Sequence, residues 1–261
     1  MEKVRSRDGS SIAFERSGSG PALILVGGAF CDHRARSAGT PLAAELSQRF
    51  SVYCYDRRAR GESSHVPPYR LEREVEDLKA LLQEAGGRAF VYGHSSGAIL
   101  ALEAALAGLP IAKLALYEPP LVLEGRPALP ADLPEQLEQL AERGKRAEAA
   151  ELFLSRAIGL PPAALERTKA SRAWPSLEAL AHTLSYDARL AADPATIVAR
   201  AARVEPETLL LDGSLSPAWL RAGVARLAAA MPRAERRSLA EQNHDAEPKH
   251  VAAVLSDFFA G

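Results

Sequence analysis

Phe90-Val91-Tyr92-Gly93-His94-Ser95-Ser96-Gly97-Ala98-Ile99-Leu100 contains three structural statements in a row. The apolar run over residues 88–92 suits a buried strand, and Ser96–Leu106 suits a helix. Between them lies Gly-x-Ser-x-Gly. A serine on a sharp strand-to-helix turn projects its hydroxyl from the rim of a sheet, and the turn requires small neighbours. Gly93 and Gly97 supply them. The helix start behind Ser95 would stabilise negative charge developing beside it. Gly and Ser are common, and an ordinary strand–helix turn can carry the same residues. The flanking chain has to decide.

Working outward, residues 3–6 and 11–16 are joined by the turn signal Asp8-Gly9 and read as a hairpin. Ala22–Val26 is a continuous apolar run that ends in Gly27-Gly28. Residues 38–48 are helical in pattern, Ser51–Tyr55 is a second buried strand, and Leu71–Glu84 places Leu71, Val75, Leu78, Leu81 and Leu82 at helical spacing. Beyond the quoted stretch come a strand at Ile111–Tyr117 and another over 208–212. A helix over 217–230, a strand at Ala234–Leu239 and a helix over 248–259 follow. This alternation predicts an α/β fold: a mostly parallel eight-stranded sheet flanked by helices, with active sites at the carboxyl ends of its strands.

One segment breaks the rhythm. Residues 121–205 are rich in Ala, Leu, Glu and Arg, and Pro127, Pro130, Pro134, Pro161-Pro162 and Pro175 interrupt them. Prolines so placed separate short helices and leave no room for a strand. The expected organisation is a core domain of residues 1–120 and 206–261, with a helical cap over 121–205 inserted across the strand ends.

Composition narrows the function classes. The 261 residues carry 32 Lys and Arg against 33 Asp and Glu, for a net charge of −1. That balance gives no electrostatic case for nucleic acid or an anionic membrane. The opening MEKVRSRDGS has no apolar core of a secretory signal, and no apolar run approaches the length of a membrane span. Cys31 and Cys54 are too few for a disulfide framework and read as reduced thiols. A cytoplasmic location is the expectation. Metal-ligand spacings, a dinucleotide fingerprint and a P-loop are all missing, so no metal and no cofactor are expected.

The elbow, its flanks, the preceding βα units, the helical interruption and a late histidine together make the chain resemble the α/β-hydrolase family over nearly its whole length. The resemblance implies that Ser95 is a nucleophile. A serine hydroxyl is scarcely ionised at neutral pH, so it needs a base that takes and returns its proton. The family's histidine sits in the loop after the last strand, here Leu239-Ala240-Glu241-Gln242-Asn243-His244-Asp245-Ala246, which implies His244. Of the other five histidines, His250 lies on the last helix, His94 is the variable residue of the elbow, His182 is in the cap and His65 is in a surface loop. His33, after the Gly-rich loop, is placed to line the pocket.

The acid departs from the common pattern. Most relatives carry it in a Gly-x-x-Asp loop, but this chain reads Gly213-Ser214-Leu215-Ser216. Some members, zearalenone lactone hydrolase-like proteins among them, instead carry a glutamate at the end of the strand after the nucleophile's helix. Glu118 in Leu116-Tyr117-Glu118-Pro119-Pro120 stands there, and the Ser-Ser-Gly-Ala elbow is similar to theirs too. Asp212 is the rival, and a dyad without acid is the third option.

For the oxyanion the resemblance implies two backbone N–H donors, that of Ser96 and that of Ala29 in Val26-Gly27-Gly28-Ala29-Phe30, with Phe30 as the alternative second donor. Phe30 and the cap residue Trp174 are candidate substrate-binding residues, although apolar residues on helices are more often plain core. Leu121, Leu180, Leu184, Tyr186 and Trp219 are further wall candidates. The Arg57-Arg58-x-Arg60 cluster reads as a structural buttress pairing with Asp56 or Glu62. The expected activity is hydrolysis of a small-molecule carboxylic ester or lactone by a monomer or homodimer. A thioesterase or a C–C bond hydrolase would use the same residues, and a non-catalytic receptor on the same fold is the reading from another class.

Overall fold

The computed structural model describes residues 1–261. The chain opens with β1 (Glu2–Arg5), β2 (Ser11–Ser17), β3 (Ala22–Val26), α1 (Thr40–Leu46), β4 (Ser51–Tyr55) and α2 (Leu71–Glu84). It continues through β5 (Ala89–His94), α3 (Ser96–Leu106) and β6 (Ile111–Tyr117). After β6 come only helices: α4 (Leu133–Glu142), α5 (Arg146–Phe153), α6 (Pro162–Lys169), α7 (Trp174–Leu180), α8 (Leu184–Leu190) and α9 (Pro194–Arg200). A π turn at Leu154–Ile158 prolongs α5. The chain then returns through β7 (Glu207–Gly213), α10 (Ala218–Ala230), β8 (Ala234–Leu239) and α11 (Pro248–Ala260).

The eight strands form one sheet in the order β1-β2-β4-β3-β5-β6-β7-β8. β1 pairs antiparallel with β2, and β2 antiparallel with β4. Every other pairing is parallel. Alternation along β3 shows why the sheet is sandwiched. Leu23 and Leu25 enter the core shared with Leu42 and Leu46 of α1 and Val251 and Leu255 of α11. Ile24 and Val26 point the other way, into the core shared with Leu78 of α2, Ile99 of α3 and Val224 of α10. A strand apolar at every position therefore has partners on both faces, each buried side chain contributing about 1.5–3 kcal/mol. Helix α3 has ten of its eleven residues buried. It is apolar at nearly every position because it lies beneath the sheet centre, and its one charged residue, Glu103, is paired with Arg200.

The helices between β6 and β7 enclose a smaller core of their own, built on Leu133, Leu137, Ala149, Phe153 and Leu184. Ala29 and Phe30, from the loop after β3, pack against that core. The prolines do more than separate these helices. Pro134, Pro162, Pro175 and Pro194 each sit in the first turn, where a missing N–H costs nothing and the fixed φ favours the helix. No helix is long and apolar enough to cross a membrane.

Candidate active site

Ser95 sits between β5 and α3 with φ 58° and ψ −128°. A non-glycine residue in that region is strained by about 1–3 kcal/mol and needs a surrounding structure that forces it. The flanking glycines show the force. A Cβ on Gly93 would lie 2.6 Å from the Ala98 Cα, and one on Gly97 would lie 2.3 Å from the Val26 carbonyl oxygen. Strand, helix and the end of β3 therefore close on the elbow with no room for a methyl group. The Ser95 N–H donates to the Tyr117 carbonyl at 2.9 Å, which ties the turn to the end of β6.

Glu118 follows immediately on β6 and also has a positive φ, 45°. Its carboxylate is fully buried. Oε1 accepts the Gly213 N–H at 2.7 Å, and Oε2 lies 2.7 Å from His244 Nδ1. A carboxylate can only accept, so Nδ1 carries the proton and Nε2 of a neutral His244 is left as an acceptor. His244 is half-exposed and lines the same cavity as Ser95. The structure thus brings Glu118 to His244, and it does not bring Asp212. That residue is buried on the β8 side, where it accepts from Arg236 Nε at 2.7 Å and from Ser238 Oγ at 2.8 Å. Ser216, at the place where most relatives carry the acid, is buried with its hydroxyl unpartnered.

Sequence reasoning passed over His94, reading it as the variable residue of the elbow. In the structure it is buried beside His244, with ring centroids 4.7 Å apart, and its Nε2 lies 2.9 Å from the His244 carbonyl oxygen. Facing a carbonyl, Nε2 must be the protonated nitrogen, so His94 donates and holds the His244 main chain. Burial, and after it the neighbouring His244, pushes the His94 imidazole down to about 3. The ring therefore stays neutral. Tyr117 stacks on His94 and donates its hydroxyl to the Asn243 carbonyl at 2.6 Å, a second clamp on the same loop.

The loop after β3 approaches the serine closely. A Cβ on Gly28 would lie 2.7 Å from the Ser95 Cβ and 3.4 Å from its Oγ. Ala29 and Phe30 follow at the cavity wall, Phe30 with φ 57°. The cavity has a volume of about 460 Å³, and fourteen of its twenty-three lining residues are hydrophobic. Phe30, Phe153, Leu154, Leu177, Val122 and Trp219 are among the apolar residues around it, and the Phe30 and Phe153 rings meet edge to face. No Lys or Arg lines it, and its carboxylates are Asp187 and Asp245.

Several expectations about the wall need correction. Trp174 lies outside the cavity and packs against the small core that contains Leu133, Phe153 and Leu184. Leu121, Leu180, Leu184 and Tyr186 are likewise packing residues, and of the group only Trp219 reaches the cavity. His33 does not line the cavity either. It lies 2.9 Å from Asp56 through Nδ1. The arginine cluster is a buttress, but with different partners. Arg57 bonds Glu74 and Asp187, Arg58 bonds Asp77 and Asp8, and Arg60 bonds Asp187. Asp56 is occupied by His33 and by the Glu62 N–H. Asp187 itself had no sequence signal, since its partners Arg57 and Ser96 lie 130 and 91 residues away.

Comparison with known proteins agrees with this architecture. The model of the Alpha/beta hydrolase family matches residues 23–254. The fold superposes on the crystal structure of an alpha/beta hydrolase from Sphaerobacter thermophilus DSM 20745 with a TM-score of 0.92 and 46% identity, covering 99% of this chain and 100% of that one. A hydrolase from Pseudomonas aeruginosa PA01 gives a TM-score of 0.76 at 26% identity, over 100% of this chain and 98% of that one. Among curated proteins, N-formylmaleamate deformylase from Pseudomonas putida is 37% identical over 121 residues. That match spans 45% of this chain and 44% of the deformylase, less than half of its length. With the family model matching most of its length, the chain belongs to the alpha/beta hydrolase family.

Proposed function

We propose that this protein is a serine hydrolase that cleaves uncharged carboxylic esters, lactones included, through an acyl-enzyme on Ser95. The observation that carries the reading is the 2.7 Å contact between buried Glu118 and His244, in the loop that lines the same cavity as the strained serine. In this reading His244 Nε2 takes the Ser95 proton as Oγ attacks the carbonyl carbon. Glu118 holds the ring in the right tautomer and stabilises the imidazolium. The N–H groups of Ala29 and Ser96 receive the oxyanion of the tetrahedral intermediate. Its collapse breaks the ester bond, and His244 returns the proton to the departing alkoxide. Water then attacks the acyl-serine with His244 again as base, releasing the acid and restoring the Ser95 hydroxyl.

The helices of residues 121–205 act as the cap that sets substrate choice. An apolar cavity of about 460 Å³ with no Lys or Arg in its lining suits neutral acyl and alkoxy groups, and offers no permanent cation to a carboxylate. The deformylase relative is named for N-formylmaleamate, which carries one. That difference favours esters over its reaction here.

A panel of p-nitrophenyl acetate, butyrate and octanoate, a matching thioester and a lactone tests the proposal. Butyrate or octanoate ester is expected to turn over fastest, with Ser95→Ala lowering kcat by about 10⁴-fold or more. Binding without turnover would favour the receptor reading, and turnover surviving in Ser95→Ala would overturn the proposal.

A further inference from the structure

A single buried ionic cluster bonds the Gly28 carbonyl and the Ser96 hydroxyl, beside the two N–H groups proposed for the oxyanion. We infer that Arg60 and Asp187 form a positioning unit for the oxyanion hole. The inference rests on the reading of Ser95 as the nucleophile.

Arg60 reaches the first donor through the peptide bond. Its Nη1 donates to the Gly28 carbonyl at 2.5 Å and to that of Cys31 at 3.3 Å. The Gly28 carbonyl and the Ala29 N–H belong to one planar trans peptide and point in opposite directions. A guanidinium that holds the carbonyl therefore aims the N–H the other way. The Ala29 N–H makes no hydrogen bond within the protein and remains open to a ligand. A charged donor on the carbonyl also polarises the peptide, which strengthens the N–H as a donor.

Asp187 reaches the second donor. Its Oδ1 accepts the Ser96 hydroxyl at 2.7 Å, and Ser96 is the first residue of α3, whose N–H has no carbonyl partner within the helix. Asp187 Oδ2 accepts Arg60 Nη2 at 2.7 Å, so one carboxylate joins the two halves. Arg57 completes the cluster. It donates to Asp187 at 2.7 Å and to the Gly27 carbonyl at 3.3 Å, and is itself held by two bonds to Glu74. Arg57, Arg60, Glu74 and Asp187 are each at most 1% exposed, and two cations face two anions. Burial works against the charge on Asp187, but Arg60 and Arg57 outweigh it and hold the carboxyl below its ordinary range.

Such a cluster gives little net stability, because well-packed apolar residues can replace buried ion pairs at no loss. What apolar residues cannot do is grip the Gly28 carbonyl and the Ser96 hydroxyl at once. Asp187 sits on α8, within the inserted helices, so the cap takes part in shaping the oxyanion hole as well as the cavity wall.

The test compares wild type, Ser96→Ala, Asp187→Asn and the double variant with p-nitrophenyl butyrate. Losing a donor outright costs about 10²–10³-fold in kcat, and misplacing one costs less. Ser96→Ala is expected to lower kcat about 10-fold and Asp187→Asn about 100-fold, with KM within about twofold. The double variant should be less than 10-fold slower than Asp187→Asn, since both changes weaken one connection. Inhibition by a trifluoromethyl ketone, which forms an oxyanion on the serine, should weaken by the same factors, while a plain methyl ketone binds unchanged. Ser96→Ala leaves Asp187 both of its arginines, so it decides the matter should Asp187→Asn fail to fold. Full kcat in folded Ser96→Ala, or equal weakening of both ketones, would overturn the inference and leave the proposed function standing. A wild type inert toward every ester would overturn the proposed function and this inference with it.

Discussion

Glu118 holds a tightly constrained position at the site. Its φ of 45° is unusual for a residue with a Cβ, its carboxylate is fully buried, and both oxygens are bonded, one to Gly213 N–H and one to His244. Glu118→Gln keeps the shape and removes the charge that fixes the His244 tautomer. The expected outcome is a fall in kcat of about 10³–10⁴-fold with an unchanged circular dichroism spectrum. Asp212→Asn should leave kcat within a fewfold, and the reverse pattern would transfer the role. His94 offers a second test through pH. The unfolded chain binds its proton near 6.5 and the folded one only near 3, so the unfolded state holds more protons between these values. Stability from this site is complete above that window and declines as pH falls through it, by at most about 1.4 kcal/mol per pH unit. Urea midpoints at pH 7 and pH 4.5 should separate less in His94→Phe than in wild type, and equal separation would contradict the assignment. The resemblance to the family pointed to Ser95, His244 and Glu118, because each stands where a family motif marks the chain, at the elbow, the loop after the last strand and the strand end after the elbow helix. His94 and Asp187 gave no such sign, since their partners are set by distant packing alone.

The elements that matter most are the elbow and the loop after β3, which touch almost without clearance. At Gly28 an added Cβ would meet the Ser95 Cβ at 2.7 Å and the His94 carbonyl at 2.9 Å. Neither neighbour can move freely, since one belongs to the strained turn and the other is main chain. Gly28→Ala should therefore push back the loop that carries Ala29. The expected cost is about 10²-fold in kcat, the order of a lost oxyanion donor, and about 1–3 kcal/mol in stability from overpacking. Steady-state kinetics beside urea unfolding would check both, and wild-type kcat would show that the loop does not serve the oxyanion. Element positions were largely legible beforehand, because strands buried on both faces leave continuous apolar runs such as Ala22–Val26. The cap walls were not. Phe153 and Trp174 look alike as aromatic residues in short helices, and only the way α5 and α7 cross decides which one faces the cavity.

At the scale of the whole molecule, the buried cluster links α2, the loop after β4 and α8 through Glu74, Arg57, Arg60 and Asp187. It crosses from the sheet to the inserted helices, and Asp187 both lines the cavity and accepts the Ser96 hydroxyl next to the elbow serine. From the sequence, the arginines were recognisable as a buttress. Their partners were not, because Asp187 follows Arg57 by 130 positions and pairing at that distance leaves no spacing to read. The same folding brings residues 95, 118 and 244 to one rim, and the proposed chemistry depends on that convergence. Rapid acid quench of the protein with p-nitrophenyl butyrate, followed by mass spectrometry of its peptides, tests it most directly. The expected result is a butyryl group on the peptide that contains Ser95, formed with the nitrophenolate burst and lost at the turnover rate. Turnover with no acyl group on that peptide, or with the group on another residue, would contradict the account.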